Sequence, residues 1–181
     1  MSSYNYTISN VKLSVKTSNS YTLEELLSLC KEHNLQYKKF HNFVVILCKF
    51  KYIIFKKGKK SVNHINITHI KNNYEISDAI TFLKSNLDID VEVSSCIVDN
   101  ITVSALCPHK VNLPNFFLSN KDLKLSYNNE KFPGLFVKLG NGTIILFSSG
   151  KFVIVGIKEE SKIADLVKLI RERSLLYIDN E

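Results

Sequence analysis

The stretch TIILFSSGKFVIVGIK (143–158) is two runs of β-branched and aromatic residues joined by Ser-Ser-Gly-Lys. Apolar runs of this length around a glycine turn spell a β-hairpin. The same design stands 92 residues earlier, where Ile53-Ile54-Phe55-Lys56-Lys57-Gly58-Lys59 aligns with Ile145-Leu146-Phe147-Ser148-Ser149-Gly150-Lys151. Phe40 and Phe132 keep that offset, so Phe40…Phe55 and Phe132…Phe147 are each 15 residues apart. Ser-Asn-Val at 9–11 matches Asp-Asn-Ile at 99–101 at an offset of 90. Recurrence in fixed order makes an internal repeat the organising feature. It predicts two α+β halves, 1–90 and 91–181, each the size of a small domain.

Working outward, each half reads as a strand (about 8–16 and 97–107) and a helix (Thr22 to His33 and Pro114 to Asn120). A meander follows (about 36–67 and 124–158), and then a longer helix (Tyr74 to Asn86 and Glu159 to Leu176). Thr22 is a suitable N-cap, with Glu24 and Glu25 at the positive end of the first helix dipole. Ile163, Leu166, Val167, Ile170 and Leu175 form an apolar stripe at helical spacing. In KFKYIIFKKGKK (49–60), alternation places Phe50, Tyr52 and Ile54 on one face and Lys49, Lys51, Ile53 and Phe55 on the other. Residues 63–74 have no counterpart of equal length and are expected to be a small insertion. Helices on one face of a meander leave the other face available for binding.

The net charge of +7 is lopsided. Residues 1–90 hold 13 Lys against 7 acids, 13 − 7 = +6, and residues 91–181 hold 11 basic against 10 acidic residues, 11 − 10 = +1. No acid falls between Glu32 and Glu75, where nine lysines stand. Such a block favours a polyanion, because lysines near phosphates release condensed counterions. Cys30, Cys48, Cys96 and Cys107 have no CxxC spacing and read as reduced, structural thiols. No apolar run is long enough to span a bilayer and no secretory signal opens the chain, so no membrane association is expected. No nucleophile elbow, P-loop or metal-ligand spacing occurs, which excludes the common enzyme signatures and predicts neither cofactor nor metal.

Together these residues resemble the TATA-box-binding protein family. Glu130-Lys131-Phe132-Pro133-Gly134-Leu135 resembles its E-L-F-P-G-L stirrup, and Ile145 to Lys151 its I-F-x-S-G-K turn. Val155-Gly156-Ile157-Lys158 resembles T-G-A-K, and Asp99-Asn100-Ile101 resembles Q-N-[IM]. In the first half Asn10-Val11, Lys39-Phe40 and Ile54-Phe55-x-x-Gly58-Lys59 stand at equivalent places, so the resemblance runs from about residue 5 to 175. It implies a saddle-shaped antiparallel sheet of two pseudo-symmetric repeats with helices on the convex face. It also implies DNA bending through the minor groove, with Phe40, Phe55, Phe132 and Phe147 as wedges between base steps. Asn10 and Asn100 would meet minor-groove acceptors at A·T pairs. Ile53, Ile145, Val153 and Val155 would extend the apolar underside, and Lys59, Lys138, Lys151 and Lys158 would hold phosphates.

Glu130 matches the acidic residue that would contact a transcription factor IIB-like partner, while the outer helices would face other initiation factors and the RNA polymerase machinery. The chain departs from the family pattern at Lys12 and Thr102, where valine is preferred, and at Ser61 and Asn63. A second reading is therefore an interaction module that keeps the fold as a subunit of a larger factor. Richness in Asn, Lys and Ile suggests an A·T-rich genome and a virus-encoded relative, working in the nucleus or a cytoplasmic viral factory.

Overall fold

Strand β1 (Tyr6–Tyr21) leads into helix α1 (Leu23–Glu32), followed by β2 (Gln36–Lys39), β3 (Phe43–Leu47), β4 (Lys51–Lys57), β5 (Ser61–Ile70) and α2 (Tyr74–Leu87). The second half repeats this order with β6 (Ile97–Leu106), α3 (Leu113–Ser119), β7 (Lys124–Ser126), β8 (Leu135–Leu139), β9 (Gly142–Leu146), β10 (Lys151–Ile157) and α4 (Ile163–Ser174). These elements come from a computed structural model that describes residues 5–57, 61–92, 95–140 and 142–179. Two compact units result, Asn10–Asp99 and Met1–Ser9 with Asn100–Glu181, so β1 begins in one and continues in the other. The strands of the first unit are hydrogen-bonded in the order β2-β3-β4-β5-β1, and those of the second in the order β6-β10-β9-β8-β7. The ladders between the strands are antiparallel.

Each core lies between one sheet face and its helices. In the first unit Leu13, Val15, Val44, Ile46, Tyr52, Ile54, Ile65 and Ile67 are buried with Leu26, Ala79 and Leu83 of the helices. The Tyr52 ring stacks on Phe82 at 5.1 Å and its hydroxyl donates to the Ala79 carbonyl at 3.0 Å. A buried phenol needs such an acceptor, and burial pushes its ionisation far above the ordinary tyrosine range. In the second unit Ile101, Val103, Leu135, Val137, Ile144, Leu146, Phe152 and Ile154 are buried with Ile163, Val167 and Ile170 of α4. Helix starts follow local chemistry. Thr22 and Glu25 form a capping box, and the Asn112 side chain caps α3 with Pro114 in its first turn.

The expected insertion at 63–74 is corrected by the register. Residues 63–70 lie in β5, which pairs with β4 from Lys51↔Thr68 to Lys57↔Ser61. Ile53↔Asn66 in the first unit and Ile145↔Val153 in the second are equivalent rungs. The offset between repeats therefore falls from 92 (53 to 145) to 87 (66 to 153), so five extra residues stand between Ile53 and Asn66, where the β4–β5 ladder continues to Lys57↔Ser61 with a register slip after Phe55.

Candidate nucleic-acid interface

Directly opposed residues of an antiparallel ladder share a face, so the register traces the sheet face away from the helices. In the second unit one row crosses five strands as Ser126–Phe136–Ile145–Val153–Ser104, flanked by Lys138–Thr143–Val155. The matching row of the first unit is Lys38–Val45–Ile53–Asn66–Ser14, flanked by Phe43–Phe55–His64–Lys16. Ile53, Ile145, Val153 and Val155 thus occupy one kind of surface, half-buried and apolar. Aliphatic side chains left on a sheet face with no helix over them mark a binding surface.

Phe132 and Phe147 form the aromatic pair expected of the second repeat, with ring centroids 5.9 Å apart and Phe132 38 % exposed. Phe136 adds a third ring at 5.2 Å from Phe132. Beneath them sits Gly134, where a Cβ would lie 2.6 Å from a Phe132 ring carbon and 2.9 Å from Ile145. The glycine is thus the seat on which the rings stand. The first repeat is built differently. Phe40, 45 % exposed, stacks on Phe43 at 4.4 Å, and Phe43 in turn lies 5.7 Å from Phe55. Phe43 bridges the expected Phe40–Phe55 pair. Phe43 and Phe136 stand outside the matched motifs, although both lie in β-patterned runs close to an expected wedge.

Asn10 and Asn100 share one device. The Asn10 Oδ1 accepts from the backbone N–H of His69 at 2.7 Å, and the Asn100 Oδ1 accepts from the backbone N–H of Gly156. Both donors have left-handed backbones, His69 at φ 71° and Gly156 at φ 85°, and lie where the ladder register slips. A bulge re-aims one group out of the ladder, here an N–H toward an asparagine. Because a backbone N–H can only donate, the amide oxygen is fixed inward and the NH₂ group is left as the outward donor. One Asn100 amide hydrogen goes to Thr102 Oγ1 at 3.0 Å.

Lys138, Lys151 and Lys158 are exposed and take part in no ion pair among the described residues. Lys59 lies outside the described residues. The lysine-rich block of the first half divides: Lys38 and Lys51 are on the free face, as is Lys16 ahead of the block, whereas Lys49 turns to Glu75 and Asp78 of α2 at 3.6 and 3.2 Å. Glu130 is exposed in the turn before Phe132, whose N–H donates to the Asn128 carbonyl at 3.0 Å. Among the described residues no group of His, Cys, Asp or Glu is placed to hold a metal ion, and no helix is long and apolar enough to cross a membrane. Exposed rings, aliphatic rows, outward amide donors and peripheral lysines make a surface suited to a grooved, acceptor-lined polyanion.

The family described as Transcription factor TFIID (or TATA-binding protein, TBP) matches residues 95–173. A TATA-box-binding protein of Pyrococcus abyssi is 32% identical over 177 residues, covering 91% of this chain and 87% of that protein. One of Methanocaldococcus jannaschii is 28% identical over 180 residues, covering 91% and 94%. The solved structure of Methanococcus jannaschii TBP superposes with a TM-score of 0.76 at 26% identity, over 95% of this chain and 99% of that one.

Proposed function

The chain belongs to the TATA-box-binding protein family, and on that premise we propose that it starts transcription by binding and bending A·T-rich promoter DNA through the minor groove. The two asparagines carry the proposal. Their oxygens are held by backbone N–H groups, so each offers the free face an amide donor. The minor groove of A·T pairs offers only acceptors, adenine N3 and thymine O2. Guanine adds an amino group there, which an outward NH₂ meets donor to donor.

The aromatic groups supply the bend. Phe132 and Phe147 of one repeat, and Phe40 with Phe43 and Phe55 of the other, would enter opened base steps. Unstacking costs a few kcal/mol per step and is offset by the surface a bent duplex wraps. Ile53, Ile145, Val153 and Val155 would lie along the sugar edges, and Lys138, Lys151 and Lys158 would fix the register on phosphates without reading sequence. Glu130, exposed on its turn, is the proposed contact for a transcription factor IIB-like partner, and the outer helix surfaces are left for other initiation factors and the polymerase machinery.

Fluorescence anisotropy against an A·T-rich and a G·C-rich duplex over a salt series tests the reading. End-labelled duplexes report the bend through energy transfer. Affinity should favour the A·T-rich duplex and fall steeply with salt, and Phe132→Ala/Phe147→Ala should lose the bend. Equal bending by this double variant, or no binding to either duplex at low salt, overturns it.

A further inference from the structure

The free face of the first repeat carries polar groups where the second has aliphatic ones. Asn66 stands at the rung that Val153 fills in the other repeat. The Oδ1 end of its amide lies 2.9 Å from Ser14 Oγ and 3.2 Å from His64 Nε2. Ser14 Oγ also donates to Asp99 Oδ2, which Lys12 Nζ approaches at 3.0 Å. The other amide end of Asn66 has no protein partner among the described residues.

Proton counting decides which end of the amide points inward. A hydroxyl has one proton to give. Asp99, ionised beside Lys12, only accepts, and a hydrogen bond to a carboxylate is about twice as strong as a neutral one, so Ser14 gives its proton to Asp99. Ser14 Oγ can then only accept from Asn66, which requires nitrogen at the inward end. A half-turn of the amide supplies it and leaves the amide's outline unchanged, since oxygen and nitrogen are assigned from their partners. The two amide hydrogens then meet Ser14 Oγ and His64 Nε2, which accepts in the tautomer with its proton on Nδ1. In this arrangement the Ser14 hydroxyl proton goes to Asp99 and both Asn66 amide hydrogens have acceptors. With oxygen inward, one serine proton would face two acceptors.

We infer that Asn66 presents its carbonyl oxygen to the free face, opposite in polarity to Asn10 and Asn100, and that the first repeat thereby reads the 2-amino group of guanine at one position of its site. That amino group is the sole donor on the floor of the minor groove. The inference rests on the minor-groove reading above, and it makes the site polar: amide donors over A·T pairs, and one acceptor over a G·C pair on the side of the first repeat.

The test walks a single G·C pair through an A·T-rich duplex and compares it at each position with inosine·C, which differs only in lacking the 2-amino group. Anisotropy is measured at pH 8, where histidine side chains are generally neutral. At one position G·C should bind about fivefold tighter than inosine·C, the scale of one hydrogen bond. Asn66→Val should abolish that difference. The duplex comparison on the unaltered protein needs no variant to fold. If it binds the A·T-rich duplex but prefers G·C over inosine·C at no position, or if the preference survives in Asn66→Val, the Asn66 assignment is wrong. If it binds no duplex at low salt, the minor-groove reading itself falls and takes this inference with it.

Discussion

Replacing Gly134 by alanine adds one methyl group under the aromatic pair and should uncouple DNA bending from folding. The new Cβ would stand 2.6 Å from a Phe132 ring carbon, 2.9 Å from Ile145 Cγ2 and 3.1 Å from a Phe147 ring carbon. Carbon atoms rest at about 3.5–4.0 Å, so the Phe132 ring must withdraw by about 1 Å, and Ile145 and Phe147 block any inward path. Gly134 is not among the glycines with positive φ, so alanine suits its backbone. Reduced freedom of the unfolded chain returns about 0.4–1 kcal/mol against roughly 1–3 kcal/mol of overpacking. The melting temperature should therefore fall by no more than about 10 °C, at 2–4 °C per kcal/mol for this size.

The binding term is larger in relative terms. Phe132 leaves 38 % of its surface exposed for the DNA to cover. A phenylalanine buries on the order of 200 Å², so about 75 Å² is at stake. At about 25 cal/mol per Å² this is roughly 2 kcal/mol, or about thirtyfold in affinity if the displaced ring fails to enter its step. Calorimetry gives the melting temperature, anisotropy the affinity, and energy transfer between labelled ends the bend. A variant that melts within a few degrees of the parent yet binds within threefold of it, with the same bend, would refute the seat and wedge argument.

Further outcomes follow from other geometry. His69→Gly should stabilise the fold by about 0.5–1 kcal/mol, because a left-handed backbone costs a residue with a Cβ about 1–2 kcal/mol; Gly156→Ala should lose a similar amount, both read by thermal melts. Lys138→Ala and Lys151→Ala should each lower the slope of log K against log salt by about 1 while keeping the preference between duplexes, as anisotropy over a salt series can check. Burial raises the Cys30 thiol to about 11, so at pH 8 mass spectrometry should find it unmodified by iodoacetamide in the folded protein. Because that folded value is above the ordinary one, the folded state holds the thiol proton more tightly. Its contribution to stability is complete below about pH 8.5, the ordinary thiol value, and is lost as pH rises toward about 11. Chemical denaturation at pH 8 and pH 11 should show the loss.

The second repeat was largely legible because its code is local. Apolar alternation, Ser-Ser-Gly and a following lysine specify the β9–β10 hairpin without reference to anything distant. Helix α1 was equally local, since Thr22 and Glu25 cap one another. The first repeat misled where identity was used to count positions. Gly58-Lys59 invites alignment with Gly150-Lys151, whereas the ladder aligns Asn66 with Val153 and shifts β5 by five residues. Polar His64 and Asn66 among Ile65 and Ile67 looked like an insertion, yet they are the free face of a strand whose isoleucines are buried. Phe43 escaped because a ring can bridge two others only once the sheet has set its neighbours. The role of His69 and Gly156 lay beyond any spacing rule, since aiming an N–H depends on where the register slips.

The division of β1 between the units has a consequence for how the protein is made. The Arg171 guanidinium donates to the Asn5 carbonyl at 2.9 Å, and the Ser9 hydroxyl donates to the Thr102 carbonyl at 3.1 Å. At about 5–20 residues per second, Asn5 joins the chain roughly 8–33 seconds before Arg171 does. This contact thus waits for the 166 residues that separate its two partners. Meanwhile residues from Asn10 onward can complete their own unit while the ribosome is still at work. Only the stretch of β1 before Asn10 is a thread left hanging until β6 and α4 arrive to tie it.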